Sequence, residues 1–301
     1  MPDSPRSDLV KTPKRRKVAK TAKTVRPRKR PPPAAPVREA DGSSSLVRLL
    51  GLLDLFTPAA PAWSAEALIK SLGMSRSTGY RYVKALTDVG LLTPVSNGHY
   101  VLGPRIVELD RQIRQCDPLY NAAGPALKWL VAKSGFSALL CALYSGSVLC
   151  VREELAADSP PNMFSRGQTR PLFRGAASKI ILPFLRPHQL RILYAKHAKA
   201  IATSGLGTDW TTFRANLAKI RRARVLVTVG EFNPGVLGIS APIFNRAGHI
   251  LGSIGVAAAE SHFDKAELER VTKLVSDSAA KVNERIATIN VGTDLAARAI
   301  G

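Results

Sequence analysis

Three cysteines in 301 residues, Cys116, Cys141 and Cys150, cannot build a disulfide framework, so a reducing cytosol is the expected setting and the expected location is cytoplasmic. No apolar run comes near the ~20 residues of a membrane-spanning helix, and the N-terminus has no apolar core of the kind a secretory signal needs. The five histidines, His99, His188, His197, His249 and His262, are scattered, with no ligand spacing such as His-x-x-x-His. No metal and no other cofactor is expected, the alternative being a zinc site that folding assembles from His and acids. A Gly-rich phosphate loop and a Gly-x-Ser-x-Gly elbow are both missing, and with them the usual signs of nucleotide chemistry and of nucleophilic hydrolysis. There is no internal repeat. Negative charge is scarce as well: 22 Asp and Glu stand against 44 Lys and Arg, a net charge of +22. Such a field favours polyanions, either nucleic acid or an anionic membrane surface, and charge alone does not choose between them.

What is present is ordinary for a globular chain, 45% apolar and 22% charged, with length for about two domains. The charge is unevenly placed. Residues 1–40 hold 13 Lys/Arg against 3 acids, residues 41–115 hold 8 against 6, and the remainder holds 23 against 13. The stretch VKTPKRRKVAKTAKTVRPRKRPPPAAP has no periodic apolar face and too little apolar surface to offset its chain entropy. Residues 1–44 are therefore expected to form a disordered basic tail, either an arm along phosphates or merely a solvated end. PKRRKV also fits a nuclear import pattern, which short basic runs match often by chance.

Order is expected from Ser45. SLVRLLGLLDLFTP reads as a compact apolar helix stopped by Pro58, and SAEALIKSL as a second, with Ser64 as N-cap and Leu68, Ile69 and Leu72 as its apolar stripe. Gly73 suits a tight turn, Ser75 can cap the next helix, and Gly90 ends it near Val89. In LLTPVSNGHYVLG, Asn97-Gly98 is a two-residue hairpin signal, and Pro94, which cannot donate to a ladder, belongs on an edge strand. Two short helices, a Gly turn and a hairpin of about ten residues outline a winged helix-turn-helix. On the second helix Gly79, Val83 and Leu86 would face the core, and Gly79 would let the two helices approach closely. Ser77, Tyr80, Arg81 and Lys84 fall on the opposite stripe, with Arg76 and Thr78 at the end that enters the major groove in this motif. Arginine can bond a guanine edge in two places, and Ser, Thr and backbone amides at a helix start hold phosphates. The wing would bring Asn97 and His99 to a groove or the backbone. The plainer reading is an amphipathic helix with a solvated face; the ordered succession of helix, Gly turn, Ser-capped helix and Asn-Gly hairpin favours DNA.

PRIVELDRQIRQ reads as a connecting helix, which makes residues 104–117 a linker. Beyond it, residues 118–290 mix helices and strands. SALLCALYSGSVLCVREEL is a hairpin around Ser145-Gly146, and GISAPIFNRAGHILGSIGVAAA another, with its turn near Asn245–Gly248. GAASKIILPFL, HQLRILYAKHA and DWTTFRANLAKIRRA look helical. The closing helix starts with an Asp264/Glu267 capping box and repeats Leu268, Val271, Val275, Val282 and Ile286. An α+β fold follows, an antiparallel sheet carrying helices, with residues 291–301 a flexible C-terminus.

These stretches resemble the IclR family of bacterial transcriptional regulators from about Ser45 to Ile289. LGMSRSTGYRYVKALTDVGLL and NGHYVLGPRIVEL look like the family's recognition helix, wing and linker entry, and GEFNPGVLGISAPIFNRAGHILGSIGV is similar to its Gly-Glu…Pro-Gly…Ala-Pro signature with the hairpin that follows. The resemblance implies a winged helix-turn-helix over 45–103, a GAF/PAS-like effector-binding domain, and a homodimer or homotetramer on a pseudo-palindromic double-stranded operator. It also implies a small organic effector, usually an organic acid or an aromatic metabolite. Where the family often has His-Ala-Thr-Ala-x-Gly-Lys beside the pocket, this chain has Phe173-Arg174-Gly175-Ala176-Ala177-Ser178-Lys179. The pocket is expected to involve Phe164, Arg166, Arg174, Ala177, Ser178, Ser240, Ser253 and Gly255. With Gly238, Gly255 and Ala257 where small polar residues often stand, it should be roomier and more apolar than one built for a tiny acid. An aromatic or larger apolar effector is the hypothesis, its carboxylate, if it carries one, met by Arg174 or Arg166.

Ser178, Ser240 and Ser253 could equally be satisfied backbone partners, and Glu231 reads as a structural hydrogen-bonding acid rather than a ligand contact. With Ser145-Gly146 as the loop, Cys141 lies opposite Cys150 in a non-hydrogen-bonded pair, where Cα atoms approach to ~4.5 Å. A redox disulfide is conceivable there, but two small apolar residues on one buried face is the preferred reading. The chain thus reads as a ligand-responsive regulator without catalysis and without a membrane partner. Its rivals are an architectural, nonspecific nucleic-acid binder driven by the tail, and an enzyme using the C-terminal pocket.

Overall fold

The computed structural model describes residues 45–289, apart from positions 72, 145, 158 and 160–163. The basic tail, the C-terminal residues 291–301, Leu72 of the expected helix stripe and Ser145 of the expected turn lie outside the described residues. The chain divides into two units between Ile106 and Val107.

In the first unit, α1 (Ser45–Gly51) runs into a short 3₁₀ turn, Leu52–Leu55. The strand β1 (Trp63–Ser64) precedes α2 (Ala65–Ser71), whose first turn is capped where the Ser64 hydroxyl accepts the Ala67 N–H at 3.2 Å. Gly73, at φ +62°, turns the chain into α3 (Arg76–Asp88), capped by Ser75 accepting from Thr78 N–H at 3.4 Å. A Cβ on Gly79 would lie 2.2 Å from Ile69 Cγ1, so the missing side chain is what lets α2 and α3 meet. Leu52, Leu68, Tyr82, Val83, Leu86 and Leu92 form the core. The wing consists of β2 (Leu92–Val95) and β3 (His99–Leu102), and β1 completes a sheet of order β1-β3-β2, which leaves Pro94 on an edge strand. The turn is longer than the two residues expected. Val95 pairs with His99, leaving Ser96–Gly98 between, with Asn97 at φ +62° and Gly98 at φ +67°. β1 was not legible in the sequence, because a two-residue strand has no period. Its place is fixed by pairing with Tyr100 and by the Trp63 indole donating to the Leu55 and Ala60 carbonyls, both at 3.0 Å.

The connecting helix is α4 (Arg105–Cys116), and the division between the units falls inside it. The second unit continues with α5 (Pro118–Ser134), capped by Asp117, and the hairpin β4 (Ser137–Tyr144) and β5 (Ser147–Glu154). Next come β6 (Thr169–Pro171), the short α6 (Ala176–Lys179), α7 (Pro187–Thr203) and α8 (Trp210–Ala223). The last described elements are β7 (Leu226–Val229), β8 (Val236–Phe244), β9 (Ile250–Ala259) and α9 (Lys265–Thr288). The antiparallel sheet has the order β6-β5-β4-β9-β8-β7. Its two faces follow the period-2 pattern of its strands. Ala138, Leu140, Ile239, Ala241, Ile254 and Val256 pack with α5 and α9, whereas Leu139, Cys141 and Cys150 pack with Phe164, Leu172 and the buried residues of α7 and α8. Asp264 caps α9 by accepting the Glu267 N–H at 2.7 Å, but the reciprocal half of the expected box gives way to a Glu267 carboxylate held by Arg270.

Cys141 and Cys150 stand opposite each other, and both are free and buried. Backbone groups of Cys150 bond to Gln168 and Gly167, away from β4. The neighbouring Cys150 thiol and burial push the Cys141 thiol well above its ordinary range. Both effects keep it protonated and unreactive.

Candidate functional site

α3 separates its side chains by face. Gly79, Tyr82, Val83 and Leu86 are buried, while Arg76, Ser77, Tyr80, Arg81 and Lys84 are exposed and Thr78 is half-buried. Arg76 and Arg81 form no ion pair among the described residues. Lys84 is engaged along its own helix, its ammonium 2.9 Å from the Asp88 carboxylate, a pair so exposed that water screens most of its attraction. The Tyr80 hydroxyl donates to Glu66 on α2 at 2.8 Å, which lowers the carboxyl pKa and raises the phenol pKa. Arg81 shares a hollow at the start of α3 with Ser45, Arg48, Ser75 and Thr78. Arg48 is a cation that sequence reasoning passed over, because α1 reads there as an apolar helix. Asn97 sits at the tip of the wing, and the His99 ring Nδ1 lies 3.0 Å from the Asn97 carbonyl.

The second unit holds a cavity of about 70 Å³ between the sheet and α6. Of the residues expected in the pocket, Phe164, Arg174, Ala177, Ser178, Ser240 and Gly255 line it, as do Gly238, Ala257 and Glu231. Arg166 and Ser253 do not. The Arg166 guanidinium pairs with Asp110 on α4 and donates to the Val151 carbonyl at 2.7 Å, so it is spent on holding α4. The Ser253 hydroxyl donates to the Ala177 carbonyl at 2.8 Å, a backbone tie between β9 and α6. In place of Arg166 the cavity has Arg170, on β6, which the sequence reading missed. Arg166 and Arg170 are spaced four apart, and it is Arg170, opposite Val148 in the pairing of β6 with β5, that lines the cavity together with Arg174.

The Arg170 guanidinium carbon lies 3.6 Å from the Phe232 ring centroid and 4.2 Å from that of Phe164. Burial pulls its pKa down, and no carboxylate pairs with it among the described residues. Arg174 is anchored: its Nε donates to the Glu231 carbonyl at 2.9 Å and its Nη2 bonds the same oxygen. The Glu231 carboxylate is already taken, by the buried Lys179 ammonium at 2.6 Å and the Gly175 N–H at 2.9 Å. Lys179 also donates to the Ser204 carbonyl at 2.8 Å, and Thr228 accepts the Ala176 N–H at 3.0 Å. The cavity therefore carries uncompensated positive charge, beside Ser178 and Ser240 hydroxyls that have no hydrogen-bond partner among the described residues. It is not roomy. A Cβ on Gly255 would lie 2.1 Å from the Ile239 carbonyl oxygen, so that glycine serves the close approach of β8 and β9 rather than a ligand.

The pattern of the IclR helix-turn-helix domain matches residues 45–96, and that of the C-terminal domain of IclR bacterial transcriptional regulators matches residues 113–284. The chain belongs to the IclR family. It is similar to the HTH-type transcriptional regulator KipR of Bacillus subtilis, 24% identical over 81% of this chain and 97% of KipR. The glycerol operon regulatory protein of Streptomyces griseus is likewise 24% identical, over 79% of this chain and 94% of that one. Among solved structures, the IclR regulator from Alicyclobacillus acidocaldarius shares the fold at a TM-score of 0.70, with 22% identity over 80% of this chain and 98% of that chain. So does an IclR homologue from Microbacterium hydrocarbonoxydans complexed with 4-hydroxybenzoate, at a TM-score of 0.66, with 18% identity over 82% of this chain and all of that one. As an IclR protein, the chain is a ligand-responsive transcriptional regulator, with a helix-turn-helix that binds DNA and a C-terminal domain that binds a small effector. No helix among the described residues is long and apolar enough to cross a membrane.

Proposed function

We propose that this IclR chain reads a pseudo-palindromic operator as a homodimer or homotetramer, without catalysis, and that its effector is a small carboxylic acid with a planar, aromatic body. Residues 45–103 would hold the duplex, 104–117 link, and 118–290 take the effector. Arg76 and Arg81 meet base edges; Ser77, Thr78, Lys84, Asn97 and His99 meet edges or phosphates of the groove and its rim. The observation that carries the effector reading is Arg170, a half-buried guanidinium stacked between two phenyl rings with no counter-ion. A desolvated cation of this kind gains most from an anion delivered into the same apolar surroundings. Arg174, Ser178 and Ser240 supply the remaining donors.

An aromatic acid fills the site by putting its carboxylate on Arg170 while Phe232, part-exposed on the β7–β8 turn, swings out and yields its stacking place to the ligand ring. The 4-hydroxybenzoate held by the Microbacterium relative supports this ligand class. Binding one arrangement of the oligomer better than another shifts the population, and the coupling to DNA is reciprocal. The test is a melting-temperature titration of the purified chain with benzoate and 4-hydroxybenzoate against pyruvate and other short 2-oxo acids. The aromatic acids should raise Tm; a rise with the short acids only would remove the aromatic effector.

A further inference from the structure

The positive excess of the second unit is confined to one layer. Residues 171–230 contain eleven Lys and Arg and one acid, Asp209, whereas the rest of 116–301 holds twelve of each sign. Asp209 is committed to capping α8, accepting from the Thr212 N–H at 2.8 Å and its hydroxyl at 2.6 Å, which holds its carboxyl below the ordinary range. The layer consists largely of α7 and α8. Both bury their apolar stripes, Leu193 and Ile201 on one, Phe213 and Leu217 on the other, in the same core. Tyr194 joins them, its ring 5.3 Å from Trp210 and 5.5 Å from Phe213. Outward, α7 exposes Arg191, Lys196 and Lys199, and α8 exposes Arg214, Lys219 and Arg222, with Ala195, Ala215 and Ala218 leaving the surface low. None of the six cations pairs with a carboxylate among the described residues.

A solvated helix normally intersperses opposite charges, which stabilise one another at i, i+4. The helix dipole accounts for Arg221 and Arg222 in the last turn of α8. It does not account for Arg191 or Arg214, each at the fifth position of its helix and so nearer the end where the dipole disfavours a cation. Two copies of this face repel each other. Of the large apolar side chains exposed in the second unit, Ile192 alone belongs to either helix, so the surface lacks the anchors of a membrane-inserting helix. We propose that the α7–α8 face is a second, sequence-independent contact to duplex DNA, made to phosphates by Arg191, Lys196, Lys199, Arg214, Lys219 and Arg222. The inference rests on the DNA-binding reading in one respect: a chain held on its operator by α3 meets nearby phosphates at high effective concentration.

The experiment uses the full chain and a long fluorescent duplex of random sequence, with anisotropy followed over a series of KCl concentrations. Arg214→Gln, Lys219→Gln and Arg222→Gln are combined, because these exposed side chains touch no aromatic ring and pair with no acid. The log–log salt slope should fall by about 0.9 for each phosphate no longer neutralised, up to about 2.7 per protomer, and Arg214→Lys with Arg222→Lys should keep the wild-type slope. An unchanged slope in the Gln variant overturns the proposal, as does a Lys variant that falls equally far. Phosphatidylglycerol vesicles are the third arm: vesicle binding abolished in the Gln variant while its DNA slope stays at the wild-type value also overturns it. Arg81→Ala on a duplex that carries the operator checks the helix-turn-helix reading separately, and unchanged operator affinity there counts against α3 whatever the α8 variants show.

Discussion

At the scale of single residues, two charged groups in the effector cavity have opposite fates. Glu231 is consumed by Lys179, Gly175 and α6, so it is architecture. Removing it as Glu231→Ala strands a buried ammonium with one carbonyl for company. The expected loss is about 2–3 kcal/mol, below the ~3–5 of a fully buried pair because Glu231 keeps one side in water. It should appear as a Tm several degrees lower by calorimetry, and an unchanged Tm would refute the structural role. Arg170 is the reverse case. Its stacking on two rings, worth roughly 0.5–2 kcal/mol, is opposed by its lost hydration, so Arg170→Gln should leave the ligand-free melting temperature nearly unchanged. The same variant should lose most of the Tm rise that benzoate produces, and a full benzoate response would rule Arg170 out as the anchor.

At the scale of elements, the α2–α3 pair depends on one absent side chain. Gly79→Ala puts a methyl into Ile69, and with that residue buried the helices must part. Overpacking of this kind costs roughly 1–3 kcal/mol, and denaturant unfolding that matched wild type would show the packing there to be soft. These helices were legible because their signals are local: Ser caps, a left-handed Gly73, and an apolar stripe at period 3.6. The failures are non-local. The three-residue wing turn and the two-residue β1 are settled by pairing with β3, not by their own residues. The same holds for the arginines: nothing in their neighbours along the chain marks Arg170 as the one that lines the cavity and Arg166 as the one that pairs with Asp110. The cavity's size was misjudged for a related reason. A small residue read along the chain suggests space, yet β8 and β9 had already closed over Gly255.

At the scale of the whole molecule, the tie between Asp110 on α4 and Arg166 is where a linker and an effector body share a bond. The Arg166 hydrogen bond holds the Asp110 carboxyl below its ordinary value. A carboxyl lowered on folding stabilises the fold above its unfolded pKa of about 3.9, and that contribution is lost as pH falls through the lower folded value. Asp110→Asn should therefore melt earlier than wild type near neutral pH, with the gap closing as acidity rises past pH ~4. A gap that widened on acidification would have the wrong sign for this pair. If α4 relays the effector's signal, the variant should also weaken the effect of benzoate on DNA affinity while leaving ligand-free DNA binding near wild type.

The Tyr80–Glu66 bond limits what that phenol can recognise. Its proton is directed at a carboxylate on its own protein, so in the proposed groove contact the oxygen has lone pairs to offer and no hydrogen. While that bond is kept it cannot donate to phosphate or to the N7 and O6 of guanine, and it suits an exocyclic amine, N4 of cytosine or N6 of adenine.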